Sequence, residues 1–177
     1  MSNWNKVFKP IVVLCVICII ITGALAATNS VTAPIIEAAT IAAQNAARTE
    51  LLPEADSFSK VEGIAVENVS DVYVADNGTG AVITSAGKGY GGTMTVMVAF
   101  TPEGTIKQLK VTEAAETKGI GSNVSEGVSY WENYTGKSAD KALVLGTDVD
   151  AYTGATISSK ALNAAVNSAI EAYNMIP

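Results

Sequence analysis

The sequence predicts an α+β domain, a small antiparallel sheet packed with helices, preceded by one N-terminal transmembrane helix. Three observations predict it. An uncharged apolar run begins after Lys9 and no charge returns until Glu37. Alternating apolar and polar residues, interrupted by glycine-bearing turns, fill roughly residues 64 to 113. The last segment returns to helical spacing, with Leu162, Val166, Ile170 and Tyr173 on one face.

The apolar run covers Pro10 to Ala27; from Ile11 onward it reaches roughly 26 Å at about 1.5 Å per residue, near the lower limit for a span, and the neutral residues after it extend it. Lys6 and Lys9 flank its N-terminal side, so the positive-inside rule places residues 1–9 in the cytoplasm, residues 10–30 across the cell (inner) membrane and the body outside. A cleaved signal peptide is the rival, because Ala24-Leu25-Ala26 fits a small-residue cleavage site. Both readings put the domain outside the cytoplasm. Cys15 and Cys18 have the spacing of a redox pair, yet they sit inside the apolar run, where apolar packing is the simpler role.

Thr32 and Pro34 suit the start of a second helix, an alanine-rich stalk over residues 31–53 that ends at Pro53. The extracytoplasmic domain then occupies residues 54–177. "VEGIAVENVSDVYVAD" reads as one or two strands, Asn77-Gly78-Thr79-Gly80 as a hairpin turn, and "AVITSAG", "TMTVMVAF" and "TIKQLKVTEA" as further strands. A loop-rich stretch follows, and a final helix runs from Thr156 to about Asn174. Few aromatics and abundant alanine predict close small-residue packing.

Composition removes whole classes of chemistry. The chain has no histidine, hence neither the commonest general base nor the commonest transition-metal ligand. Its two cysteines lie in the apolar run, so the body holds no thiolate nucleophile and no iron–sulfur cluster. Redox chemistry in the body would need an organic cofactor. The net charge is -6, and every acidic residue follows the apolar run, which argues against nucleic acid or anionic lipid as a partner of the body.

Thr153-Gly154-Ala155-Thr156 stands at the foot of the last helix. A helix N-terminus offers unpaired N–H groups to a phosphate, Gly154 lets the backbone approach, and Thr156, Ser158 and Ser159 add hydroxyls. From the spacing alone, a capped helix with exposed hydroxyls is the readier reading. Two glycine-rich loops accompany it: "GKGYGG", with Tyr90 and Gly91, and "ETKGIG", with Glu116, Thr117, Gly119 and Ile120.

Asp150-x-x-Thr153-Gly154-Ala155-Thr156 resembles the flavinylation motif of the FMN-binding domain family. "GYGG" and "ETKGIG" match that family in the same order, between about Gly80 and Leu162; Lys118 replaces a usual proline and Ile120 a usual leucine. The resemblance implies FMN joined covalently, through its phosphate, to the hydroxyl of Thr156 by a separate flavin transferase. By the same resemblance Thr153, Gly154, Ala155, Ser158, Ser159, Glu116, Thr117, Gly119, Ile120, Tyr90 and Gly91 surround the flavin, and Asp150 serves transferase recognition. Tyr90, Tyr152 and Trp131 are the aromatics that could stack on the ring; Lys160 could favour the phosphate. Asp148 and Asp150 lack a third ligand for calcium.

Within the family, the length, single span and absent lipobox resemble the G subunit of Rnf-type ion-translocating ferredoxin:NAD+ oxidoreductase complexes. That implies an electron-transfer subunit without independent catalysis, whose partners are other membrane subunits and the bilayer itself. Coupling to Na+ or H+ would belong to the assembly. The alternatives are a subunit of a sodium-pumping NADH:quinone reductase, a free-standing flavin shuttle, or a sensory domain holding a non-covalent ligand.

Overall fold

The computed structural model describes residues 8–177; the cytoplasmic segment expected up to Lys9 therefore lies mostly outside the described residues. The chain divides into two units, the residues up to Gln44 and Asn45–Pro177.

Helix α1 spans Lys9–Leu51. Its N-terminal part is fully exposed and, by length and composition, apolar enough to cross a membrane. The sequence reading starts a new helix at Thr32. The helix instead continues through Thr32 and holds Pro34 in its interior. The Thr32 hydroxyl does not cap. It donates back to the Thr28 carbonyl, as Thr28 does to Ala24. Such back-bonding lets polar residues sit inside a helix.

In the second unit, β1 (Phe58–Lys60), β2 (Val69–Ala75), β3 (Ala81–Lys88), β4 (Thr93–Phe100) and β5 (Ile106–Glu113) form one antiparallel sheet in chain order. The meander agrees with the alternation, except that residues 61–66 remain outside strands and the short β1 lies upstream of them. The Asn77-Gly78 turn joins β2 to β3, and Gly78 and Gly80 take positive φ there.

Period-two alternation sends side chains to opposite faces. Met94, Val96, Val98 and Phe100 of β4 join one core, together with Val72 and Ile83. Met97 and Ala99 join the other with Val82 and Ala75. Between β5 and the last helix the chain forms two single-turn helices, α2 (Ser122–Ser125) and α3 (Val128–Trp131), and a 3-10 turn, Glu132–Tyr134. Helix α4 (Thr156–Tyr173) covers the first face. It buries Leu162, Val166 and Ile170 as the spacing predicts, and also Ala161, Ala165, Ala169 and Ala172. The alanines bring helix and sheet close: the Ser85 hydroxyl donates to the Ala165 carbonyl at 2.8 Å, and a Cβ on Gly87 would collide with the Ala161 backbone. Tyr173 stacks on Phe100, ring centroids 4.7 Å apart.

The second face is covered by the last turns of α1. Ala47, Leu51 and Leu52 are buried against it. The Arg48 guanidinium lies 3.7 Å from the centre of the Tyr73 ring. The Gln108 side chain of β5 donates to the carbonyls of Glu50 and Leu51, which satisfies two of the helix's unpaired C-terminal groups.

Candidate functional site

The meander places the β3–β4 turn, the segment leaving β5 and the first turn of α4 at one end of the domain. Together they line a cleft of about 620 Å3. Tyr90 comes from the turn, Glu116, Thr117, Ile120 and Gly121 from the segment, and Gly154 to Ser158 from the approach to α4. The three motifs quoted from the sequence thus meet in space. A smaller hollow of about 420 Å3, near Gly80, Pro102 and Tyr173, contains none of them.

Three glycines in these loops are required by close approach. A Cβ on Gly91 would run into the Ala115 carbonyl; one on Gly89 or Gly121 would run into the Glu116 carboxylate. Gly154 is different: it has φ +88° and open space around it, so it supplies a left-handed turn rather than clearance.

Thr156 is the first residue of α4 and is exposed. The N-cap position belongs to Ala155, which has no side-chain oxygen to offer, and no side chain caps the helix. The capped-helix alternative therefore fails on geometry. The first-turn N–H groups keep their capacity for an outside acceptor, at the positive end of an 18-residue helix. Ser158 and Ser159 follow in the first turn and are buried. The Ser159 hydroxyl donates to the Ala155 carbonyl and accepts from the Tyr152 N–H, which fixes the backbone on both sides of Gly154. Ser159 therefore supports the loop from behind and does not line the cleft.

Glu116 spans the site. Its Oε1 accepts the Tyr90 N–H at 3.0 Å and its Oε2 accepts the Ser158 hydroxyl at 2.8 Å. Gly119 has φ +79°, and its N–H donates to the Ser122 hydroxyl; it shapes the loop behind the cleft, as Gly91 does on the other side. Thr153 is exposed and outside the lining, and Lys160 is likewise exposed along the helix.

Of the three aromatic candidates, Tyr90 alone lines the cleft, and it is 72% exposed. Trp131 packs on the core and donates its ring N–H to the Val124 carbonyl. Tyr152 meets Tyr130 edge-on at 5.8 Å. Tyr130 in turn donates its hydroxyl to the Asp150 carbonyl, which anchors the motif's entry. Asp148 closes the preceding turn: the Val144 N–H, and then Lys141, hold its carboxyl below the usual range.

Ile157 lines the cleft but escapes the sequence reading; Gly121 also lines it. Gly121 ends the "ETKGIG" stretch and was legible there. Ile157 reads as a core residue by type, but it falls off the Leu162 face and is 52% exposed.

The family model described as FMN-binding domain matches residues 89–171, which contain all three motifs. The G subunit of the Na(+)-translocating ferredoxin:NAD(+) oxidoreductase complex of Acetobacterium woodii is 34% identical, over 97% of this chain and 93% of its own length. Its counterpart in the proton-translocating ferredoxin:NAD(+) oxidoreductase complex of Clostridium ljungdahlii is 32% identical, over 96% and 93%. Among solved structures, NqrC of Shewanella oneidensis is similar with a TM-score of 0.47 and 26% identity, covering 66% of each chain. The chain belongs to the FMN-binding domain family, among the relatives of the G subunits of ion-translocating ferredoxin:NAD(+) oxidoreductase complexes.

Proposed function

We propose that this chain is the flavin-bearing electron-transfer subunit of an Rnf-type ion-translocating complex, carrying FMN through a phosphoester to Thr156. The observation that supports it most is the position of one hydroxyl. Thr156 is exposed at the lip of the cleft, at a helix N-terminus that no side chain caps. An ester there leaves the phosphate beside free backbone N–H groups. The cleft volume falls within the usual range for cofactor sites.

The flavin supplies the electron chemistry that a body without histidine or cysteine lacks. The chain's own residues hold and shield it. Thr156 carries the phosphate, and Gly154 turns the backbone so that the first-turn amides face it. Tyr90, Ile120 and Ile157 give the cleft apolar walls, and Thr117 adds a polar edge. The acceptor hydroxyl needs no activating base in this chain, because a flavin transferase provides one; Asp150 serves its recognition. Residues 10–30 cross the bilayer with residues 1–9 in the cytoplasm, residues 31–53 form the stalk, and residues 54–177 are extracytoplasmic. There the domain exchanges electrons with neighbouring membrane subunits. The two relatives above are named for different ions, so the coupling ion belongs to the whole complex.

The test is co-expression with a flavin transferase, followed by denaturing gel fluorescence and intact mass. The wild type and Thr156→Ser carry an FMN-sized adduct on the C-terminal peptide. Thr156→Val carries none and folds normally, because its hydroxyl caps nothing. A wild-type chain without the adduct overturns the proposal.

A further inference from the structure

We infer that Glu116 is a positioning residue: its carboxylate is a strut that holds the cleft open before any flavin arrives. This deepens the reading above and rests on it only for the identity of the cleft's occupant. The cleft is built from three segments far apart in sequence. Among the described residues, the hydrogen bonds that join them across the cleft are the two made by Glu116. One oxygen takes the amide of Tyr90 at the tip of the β3–β4 turn. The other takes the hydroxyl of Ser158, which is only 2% exposed, in the first turn of α4.

The surrounding sequence is built to admit this group. Gly89 on one side and Gly121 on the other both lie where a Cβ would collide with the Glu116 carboxylate. Two glycines from separate segments therefore leave room for the same pair of oxygens. At Gly121 a Cβ would also crowd the Ser158 hydroxyl. A group whose role was to reach a ligand would need no such clearance on the protein side. The carboxylate also lies beside the first turn of α4, where negative charge is favoured.

The chemistry defines which substitutions keep the strut. Glutamine retains one oxygen for the Tyr90 amide and presents an NH2 group to the Ser158 oxygen, so Glu116→Gln preserves both bonds without charge. Glu116→Ala loses both. Ser158→Ala loses one and leaves the Tyr90 bond.

Hydrogen exchange on the full-length, flavin-free chain in detergent reads the strut directly. The Tyr90 amide exchanges about tenfold faster in Glu116→Ala than in wild type, because a buttressed charge-assisted bond is lost. Its rate in Glu116→Gln and in Ser158→Ala stays within about threefold of wild type. Core amides of β4 serve as the folding control, and if Glu116→Ala fails to fold, Glu116→Asp, one methylene too short to meet both partners, takes its place with the same faster exchange expected. Equal Tyr90 exchange in wild type and a folded Glu116→Ala overturns the strut, as does tenfold faster exchange in Glu116→Gln. Loading with a transferase gives the second readout. A strut predicts that Glu116→Ala loads FMN more slowly than Glu116→Gln, which keeps both bonds; equal loading of the two folded variants overturns the inference. Failure of wild type to load at all would overturn the function proposed above and leave the exchange result standing.

Discussion

Two glycines of the cleft differ in what they tolerate. Gly91 lies against the Ala115 backbone, which cannot move aside as a flexible side chain can. Gly91→Ala is expected to cost about 2 kcal/mol or more, through overpacking. Gly154→Ala meets nothing within 4 Å and costs only the left-handed conformation, about 1 kcal/mol. Chemical denaturation of the two variants ranks them, and a larger loss for Gly154→Ala would contradict the geometry. The buried polar residues of the core follow the same local logic. Tyr134 is fully buried, and burial pushes its phenol well above the usual range. Its hydroxyl meets Asn163 at the long distance of 3.5 Å, so Tyr134→Phe loses less than about 1 kcal/mol, whereas Tyr134→Ala opens a cavity costing about 3–5 kcal/mol.

At the scale of elements, the end of α1 behaves as part of the domain. Leu51 and Leu52 are 2% and 0% exposed, and Arg48, at 4%, lies on Tyr73. Full burial of each leucine contributes about 1.5–3 kcal/mol. The ion pairs nearby, Glu50 with Lys110 and Glu54 with Lys107, are partly exposed and add little. A soluble fragment that begins at Asn45 should therefore melt well above one that begins at Pro53, which uncovers Val82, Met97 and Ala99. Equal melting temperatures would mean that the helix end is an ornament of the sheet. Helix α4 has the opposite arrangement: its middle is buried on the sheet, while its first turn is left to the cleft.

At the scale of the whole molecule, charge sets the pH response. Hydrogen bonds from Ser57 lower the Asp76 carboxyl, the Val144 N–H lowers Asp148, and Lys107 lowers Glu54. Groups depressed in the fold contribute stability above the ordinary carboxylate range, and lose it as pH falls through their folded values. Lys60, raised by its bond to Asp71, acts in reverse: its contribution is complete below its ordinary value of 10.5 and is lost as pH climbs above it. The chain has no histidine and both cysteines lie in the apolar run, so no side chain of the domain has an ordinary pKa between about 5 and about 9. The melting temperature of the domain should be flat from about pH 6 to about pH 9 and fall below about pH 4. A step near neutrality in a thermal melt series would refute this.

The sequence by itself determined the apolar helix, the meander and the final helix. Each rests on a local period, 3.6 or 2, and on turn residues whose backbone preferences hold in any context, as at Asn77-Gly78. It also located the three motifs, because residue type and spacing are local properties. Pro34 shows where local rules fail: a residue suited to starting a helix stands inside one. The tertiary structure alone decided the rest, because each outcome depends on contacts between residues distant along the chain. Glu116 stands 26 residues from Tyr90 and 42 from Ser158, so no spacing reveals that one carboxylate meets both. That Tyr90 lines the cleft while Trp131 and Tyr152 do not depended on which side of the packed chain each ring faces. Whether Thr156 capped its helix or stood open depended on a backbone turn, through Ala155, that only the packed Ser159 fixes.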